Sequence, residues 1–156
     1  MSELTHLDDE GNVHMVDVGS KPSTDRVAVA RATVTMADTT ADLLFGGGLP
    51  KGDGVATVRV AAIQGAKRTA DLIPLCHPLP IERIDVDVAR IDTGVEIRVT
   101  VGVHARTGVE MEAMTGAGIG ALALYDMIKG VDRSAFVGEI ALISKSGGRS
   151  GEWSRG

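Results

Sequence analysis

Apolar and polar residues alternate most cleanly in the middle of the chain. Ile84, Val86 and Val88 alternate with Asp85 and Asp87. After Asp92-Thr93-Gly94 the pattern resumes as Val95, Ile97, Val99, Val101 and Val103 against Glu96, Arg98 and Thr100. Residues two apart on a strand share a face, so this stretch predicts a β-hairpin with one buried and one wet face. The even positions Ala28, Ala30, Ala32, Val34 and Met36 are likewise all apolar, which predicts a strand over Val27 to Met36. Glu139 to Ser144 predicts the last strand.

The helical segments announce themselves differently. Asp38-Thr39-Thr40 could cap a short helix through Leu44, stopped by Gly46-Gly47-Gly48. From Asp53 to Asp71 the valines favour strand, but the stretch is too long for one strand and Asp53 suits an N-cap, so it reads as helix. Pro74, Pro78 and Pro80 then enforce an irregular, stiff segment around Cys76-His77. Thr107-Gly108-Val109-Glu110 has the form of a capping box. The helix it opens would bury Met111, Met114, Gly118, Leu122, Tyr125 and Ile128, with Gly130 as its C-terminal cap. Gly116, Gly118 and Gly120 each weaken such a helix by roughly 1 kcal/mol relative to Ala. Close packing of its backbone on a sheet or a partner would compensate.

The order β-α-β-β-α-β is that of a ferredoxin-like α+β sandwich, with an antiparallel four-stranded sheet and helices on one face. One domain is expected over 1-156, with residues 1-26 as an N-terminal arm and 145-156 as a Gly/Ser-rich tail. That fold serves enzymes, regulatory modules and RNA binders, so it decides nothing about function.

Composition narrows the field. A formal charge of −5 supplies no basic field for a polyanion, and 3% aromatics leave few platforms for stacked bases, so a nucleic-acid partner is not expected. Any anionic ligand must be held by a local cluster. The single cysteine, Cys76, excludes an internal disulfide framework and fits a reducing compartment. With no bilayer-length apolar run and no secretory pattern at the N-terminus, a cytoplasmic protein without a membrane partner is expected.

Several residues could carry chemistry. Lys51 precedes a helix start, where free N–H groups and the dipole favour phosphate; a solvated loop lysine is the other reading. Lys67-Arg68 lies near the stiff segment bearing His77. The three read either as an anion pocket with a titratable group or as a surface pair beside a packed histidine. Zinc fits poorly, because Cys76 and His77 are adjacent and His6, His14 and His104 share no ligand spacing with them. Asp126 and Lys129 share a helix face, usually as a solvent ion pair. Lys145-Ser146-Gly147-Gly148-Arg149-Ser150 could wrap an anion with backbone N–H groups or belong to a flexible tail. Glu112 and Asp126 lie fourteen positions apart on the proposed helix, about 21 Å along its axis. One small ligand could hardly use both from the same chain.

Taken in order, Leu4-Thr5-His6, His14 to Val18, Lys51-Gly52-Asp53, Ala66 to Thr69, Asp71 to Leu79, Thr107 to Ala113, Tyr125-Asp126-Met127 with Lys129, and Lys145 to Gly148 resemble the cyclic pyranopterin monophosphate synthase family of molybdenum cofactor biosynthesis. The resemblance spans nearly the whole chain, and its longest words, DLIPLCHPL and TGVEMEA, are unusual strings. It implies a lyase that converts 3′,8-cyclo-7,8-dihydroguanosine 5′-triphosphate into cyclic pyranopterin monophosphate and releases pyrophosphate. No redox cofactor is implied, although Mg²⁺ could accompany the triphosphate. It also implies a dimer-built hexamer with active sites between subunits. By position, Asp126, Lys51, Lys129 and His77 would be catalytic. Leu75, Cys76, His77, Glu110, Met111 and Glu112, with the basic residues Arg26, Lys67 and Lys145, would contact substrate. A lysine of lowered pKa as general base would suit this chemistry. Gly116, Gly118, Gly120 and Gly130 depart from the family's usual choices, which questions helix rigidity rather than chemistry. A non-catalytic nucleotide-binding module on the same fold is the alternative.

Overall fold

The computed structural model describes residues 6–156; Leu4 and Thr5 of the first matching word lie outside them. The elements are β1 (Thr24–Thr35), α1 (Asp38–Phe45), α2 (Gly54–Lys67), α3 (Thr69–Leu72), β2 (Arg83–Ile91), β3 (Gly94–Ala105), α4 (Glu110–Ile128), β4 (Phe136–Ser146) and β5 (Trp153–Ser154). All strand pairs are antiparallel, in the order β2-β3-β1-β4-β5. The first four strands make the expected ferredoxin-like sheet. The C-terminal segment, read as a tail, folds back and adds β5 through Ser144 with Ser154 and Lys145 with Trp153. Its sequence hid this strand because two paired residues are too few to show a period. At the other end, β1 takes up the last three residues of the expected arm, Thr24 to Arg26.

Period-2 patterning sets the core. Ala28, Ala30, Ala32 and Val34 stand opposite Val101, Val99, Ile97 and Val95, and all eight are buried. The alanines of the central strand leave room for α4 to approach the sheet closely. Asp53 caps α2 as expected, its carboxylate accepting from the Ala56 N–H at 2.9 Å. The helix ends where buried Thr69 turns its hydroxyl onto the Ala66 carbonyl (2.9 Å), so residues 54–72 form two helices rather than one.

The face of α4 that packs inward matches the expected one only in part: Ile128 is fully buried, and Met114 and Tyr125 pack against the core from its edge. Ala113, Gly116, Ala117, Gly120, Ala121 and Leu124 are buried, whereas Met111 and Leu122 are exposed and Met114 and Gly118 half-buried. Over the first three turns, from Ala113 to Ala121, the inner face has room only for small side chains, whereas nearer the C-terminal end it takes Leu124, Met127 and Ile128. A Cβ at Gly116 would sit 3.0 Å from the Ala62 carbonyl and 3.2 Å from Val99 Cγ1, and one at Gly120 3.2 Å from Ala62 Cβ. These two glycines let α4 lie against α2 and the sheet, which offsets their poor helix propensity. Gly118 faces outward, toward the tip of Ile140.

Both expected caps of α4 are absent. Buried Val109 occupies the N-cap with no side-chain hydrogen bond, so the helix starts later than Thr107 would have set it. Glu110 instead folds over Gly108, where a Cβ would lie 2.7 Å from its carboxyl carbon. Gly130 is not among the glycines of positive φ; the helix is closed at Lys129 by its N–H to the Tyr125 carbonyl, 2.8 Å. The cap of α1 is also remote. Ala37 is its N-cap and offers no side chain, and the carboxylate there belongs to Asp132, ninety-five residues on.

Candidate active site

The two ends of α4 carry two groups of functional side chains. At its N-terminal end, the stiff segment after α3 brings Leu75, Cys76 and His77 against Glu110, Met111 and Glu112. Together they line a cleft of about 270 Å³. A smaller adjoining cleft is lined by Lys67, His77 and Glu112, so the histidine and the glutamate stand between the two. Pro74 sits in a turn closed by the Cys76 N–H on the Ile73 carbonyl (3.1 Å), and the first turn of α4 presents Glu112 to the same cleft.

Glu112 is the unusual group here. It is 4% exposed. Burial, reinforced by the charge of Glu110, pushes its carboxyl up to about 7, so it titrates near neutrality. Burial and the charge of Glu112 also push the Cys76 thiol up, which keeps it protonated and poorly nucleophilic at neutral pH. The pattern of charges could not reveal Glu112's state, because it depends on neighbours distant in sequence.

At the C-terminal end, Lys51 Nζ lies 3.0 Å from Asp126 Oδ2, and Lys129 Nζ lies 2.8 Å from Asp126 Oδ1. Lys51 also donates to the Asp126 carbonyl at 2.7 Å, so a cation meets one of the free carbonyls of the last helical turn. An aspartate in that turn opposes the helix dipole, and the two lysines offset it. Their hydrogen bonds, that of Lys129 foremost, hold the Asp126 carboxyl below the usual range. Asp126 in turn raises the Lys129 ammonium. The expectation of a lysine with lowered pKa is therefore reversed for Lys129, because its dominant neighbour is an anion. All three side chains are about half exposed, open to a ligand from outside.

The remaining expected residues lie around the N-terminal end of α4. Arg26 donates to the carbonyls of Ala105 (3.1 Å) and Arg106 (3.2 Å), and the Gly147-Gly148 turn packs on its backbone and guanidinium. Lys145 is hydrogen-bonded to Ser150 and lines a separate groove with Trp153. The structure thus brings His77, Cys76, Leu75, Glu110, Met111 and Glu112 together, with Lys67 beside them, but keeps Lys51, Asp126 and Lys129 a helix length away. Four further residues of the main cleft, His6, Val16, Val18 and Lys21, come from the arm. The matching words of the arm include the first three, whereas Lys21 carries no local signal. Among the described residues, no group of three or more His, Cys, Asp or Glu side chains is placed to hold a metal ion.

Fold and side chains define a ferredoxin-like α+β protein with a cleft walled by a buried glutamate at one end of a helix and a lysine-aspartate cluster at the other. The model of the MoaC family matches residues 15–148, and the chain belongs to that family. It is 54% identical to the cyclic pyranopterin monophosphate synthase of Thermomicrobium roseum, an alignment covering 99% of this chain and 95% of the relative. Its identity to the protein of the same name from Corynebacterium glutamicum is 51%, with 99% of both chains covered. To that from Roseiflexus sp. it is 52%, with 98% of both covered.

Proposed function

We propose that this protein is a lyase of molybdenum cofactor biosynthesis. It takes 3′,8-cyclo-7,8-dihydroguanosine 5′-triphosphate to cyclic pyranopterin monophosphate and releases pyrophosphate. Family membership and three relatives of that name, each matched end to end, support the assignment. The geometric observation that carries it is the pairing of Asp126 with Lys51 and Lys129, an exposed cationic pair organised around one carboxylate.

The reaction needs protons moved on the nucleoside portion and charge stabilised on the phosphates. His77 and Glu112, walling one cleft, are suited to the first task, since a carboxyl titrating near 7 can both give and take a proton at neutral pH. Lys51 and Lys129 suit the second. As a substrate hydroxyl bonds to the α-phosphorus and the bond to pyrophosphate breaks, negative charge builds on phosphate oxygens that ammonium groups can meet. Asp126 holds both ammonium groups in place beforehand. Arg26, Lys67 and Lys145 add positive charge around the N-terminal end. No redox cofactor is needed. Mg²⁺, where present, would arrive on the triphosphate.

Glu112 and Asp126 sit fourteen residues apart on α4, about 21 Å along its axis. The substrate therefore meets both groups only where the C-terminal cluster of one copy approaches the cleft of another, in a homo-oligomer, in our reading a dimer-built hexamer. An apolar groove on the outer face of α4, lined by Met111, Met114, Leu122 and Ile140 among others, offers the surface such a copy would cover. The test is to supply the cyclised nucleotide and follow pyrophosphate and pterin product together. Both should appear in equal amounts. Binding without pyrophosphate release would favour a nucleotide-sensing module instead.

A further inference from the structure

Asp132 lies outside both clusters, yet it is the most heavily hydrogen-bonded carboxylate among the described residues. It is 6% exposed and accepts five hydrogen bonds. Oδ2 receives the Ala37 N–H (2.9 Å) and the Thr40 hydroxyl (3.2 Å); Oδ1 receives the Ser134 hydroxyl (2.7 Å) and the N–H groups of Ser134 (3.1 Å) and Ala135 (3.2 Å). Its own N–H bonds to the Ile128 carbonyl at 2.9 Å, on the last turn of α4.

The partners belong to two chain segments that must meet for the lysine cluster to exist. One is the exit of α4, which carries Asp126 and Lys129. The other begins with α1 and runs on to Lys51. Helix α1 has no side-chain cap of its own, and the Asp132 carboxylate sits at its positive end. From there the connection is rigid: Leu44 of α1 and Leu49 are both buried, and both approach Gly54 so closely that a Cβ there would lie 2.5 and 2.8 Å from their methyl groups. Lys51 stands between Leu49 and Gly54.

We infer that Asp132 is a positioning residue for the proposed reaction, fixing α1 and the Lys51 loop against the end of α4 so that Lys51 meets Asp126. It touches none of the reacting groups and acts only through the segments it joins. The inference rests on the proposed function for its kinetic consequence but not for its geometry, and the two can be tested apart.

The experiment follows the Asp126 carboxyl by NMR titration in the full chain as wild type, Asp132→Asn, Thr40→Val and Thr40→Ser, with Lys51→Ala as reference. Loss of Lys51 should raise the Asp126 midpoint, and Asp132→Asn should raise it in the same direction with Lys51 still present. Thr40→Val, which keeps the buried carboxylate and removes one bond, should give a smaller shift that Thr40→Ser reverses. If the wild type turns over the cyclised nucleotide, Asp132→Asn should also lower kcat roughly tenfold or more with KM changed less than about threefold, measured well below the melting temperature. An Asp126 midpoint unmoved in both Asp132→Asn and Thr40→Val would reduce Asp132 to a structural cap and overturn the inference. Absence of turnover in the wild type would count against the proposed function alone, because the titration reads the geometry without substrate.

Discussion

At the N-terminal end of α4, Glu112 is nearly out of solvent and its charge is opposed by burial and by Glu110; at the C-terminal end, Asp126 lies in the open and is held ionised by two lysines. The same residue class is tuned in opposite directions by one helix length of displacement. A carboxyl balanced near neutrality exchanges protons, whereas one fixed as an anion organises cations. The first lines a cleft and the second lies on an open surface. Under the proposed function, the two ends would serve one reaction only when supplied by different copies of the chain.

This contrast can be broken from either end. Lys51→Ala and Asp126→Asn should fold normally, since the cluster is exposed, yet lose about 10²- to 10⁴-fold in pyrophosphate release; thermal melts beside initial rates check both halves of that statement. Leu122→Glu puts a charge in the outer groove of α4 and touches neither cluster. It should lower the sedimentation coefficient and the activity together, and activity kept by a dissociated chain would count against shared sites.

Glu112→Gln sharpens the contrast through pH. An unfolded glutamate ionises near 4.5 and the folded one near 7, so the unfolded state loses its proton first as pH rises. The native state is therefore penalised progressively between those values and fully above them. Glutamine should remove this slope and stabilise the protein above pH 7 by about 1–3 kcal/mol, read from denaturant midpoints at pH 5 and pH 8. The smallest effect concerns the glycines. Gly130→Ala, at negative φ with nothing within 4 Å of its Cβ, should stabilise by about 0.5 kcal/mol, whereas Gly116→Ala, pressed on the Ala62 carbonyl, should destabilise.

The legible parts of the molecule were those with a local cause. The β2-β3 hairpin showed because period-2 alternation over long strands is hard to mistake, and α2 showed through its Asp53 cap. The inner face of α4 did not. Its first three turns pack through Ala and Gly, whose hydrophobic signal is weak, so Met111 and Leu122 drew the stripe outward, although Ile128 at its end is buried as expected. Thr107 and Glu110 have the spacing of a capping box, but the burial of Val109 shifts the helix start. Of the site residues, the matching words pointed to both clusters and the fourteen-residue spacing already separated them. The protonation of Glu112, the entry of Lys21 into the cleft and the clasp of Asp132 on α1 all depend on contacts remote in sequence.

Subunit complementation tests the central claim most directly. Lys51→Ala chains and His77→Ala chains, each nearly inactive alone, are unfolded together in equal amounts, refolded and assayed. If each active site joins the cleft of one copy to the lysine cluster of another, random assembly leaves about one site in four with both ends intact, and about a quarter of wild-type activity should return. A mixture no more active than its components would show that each chain completes its own site.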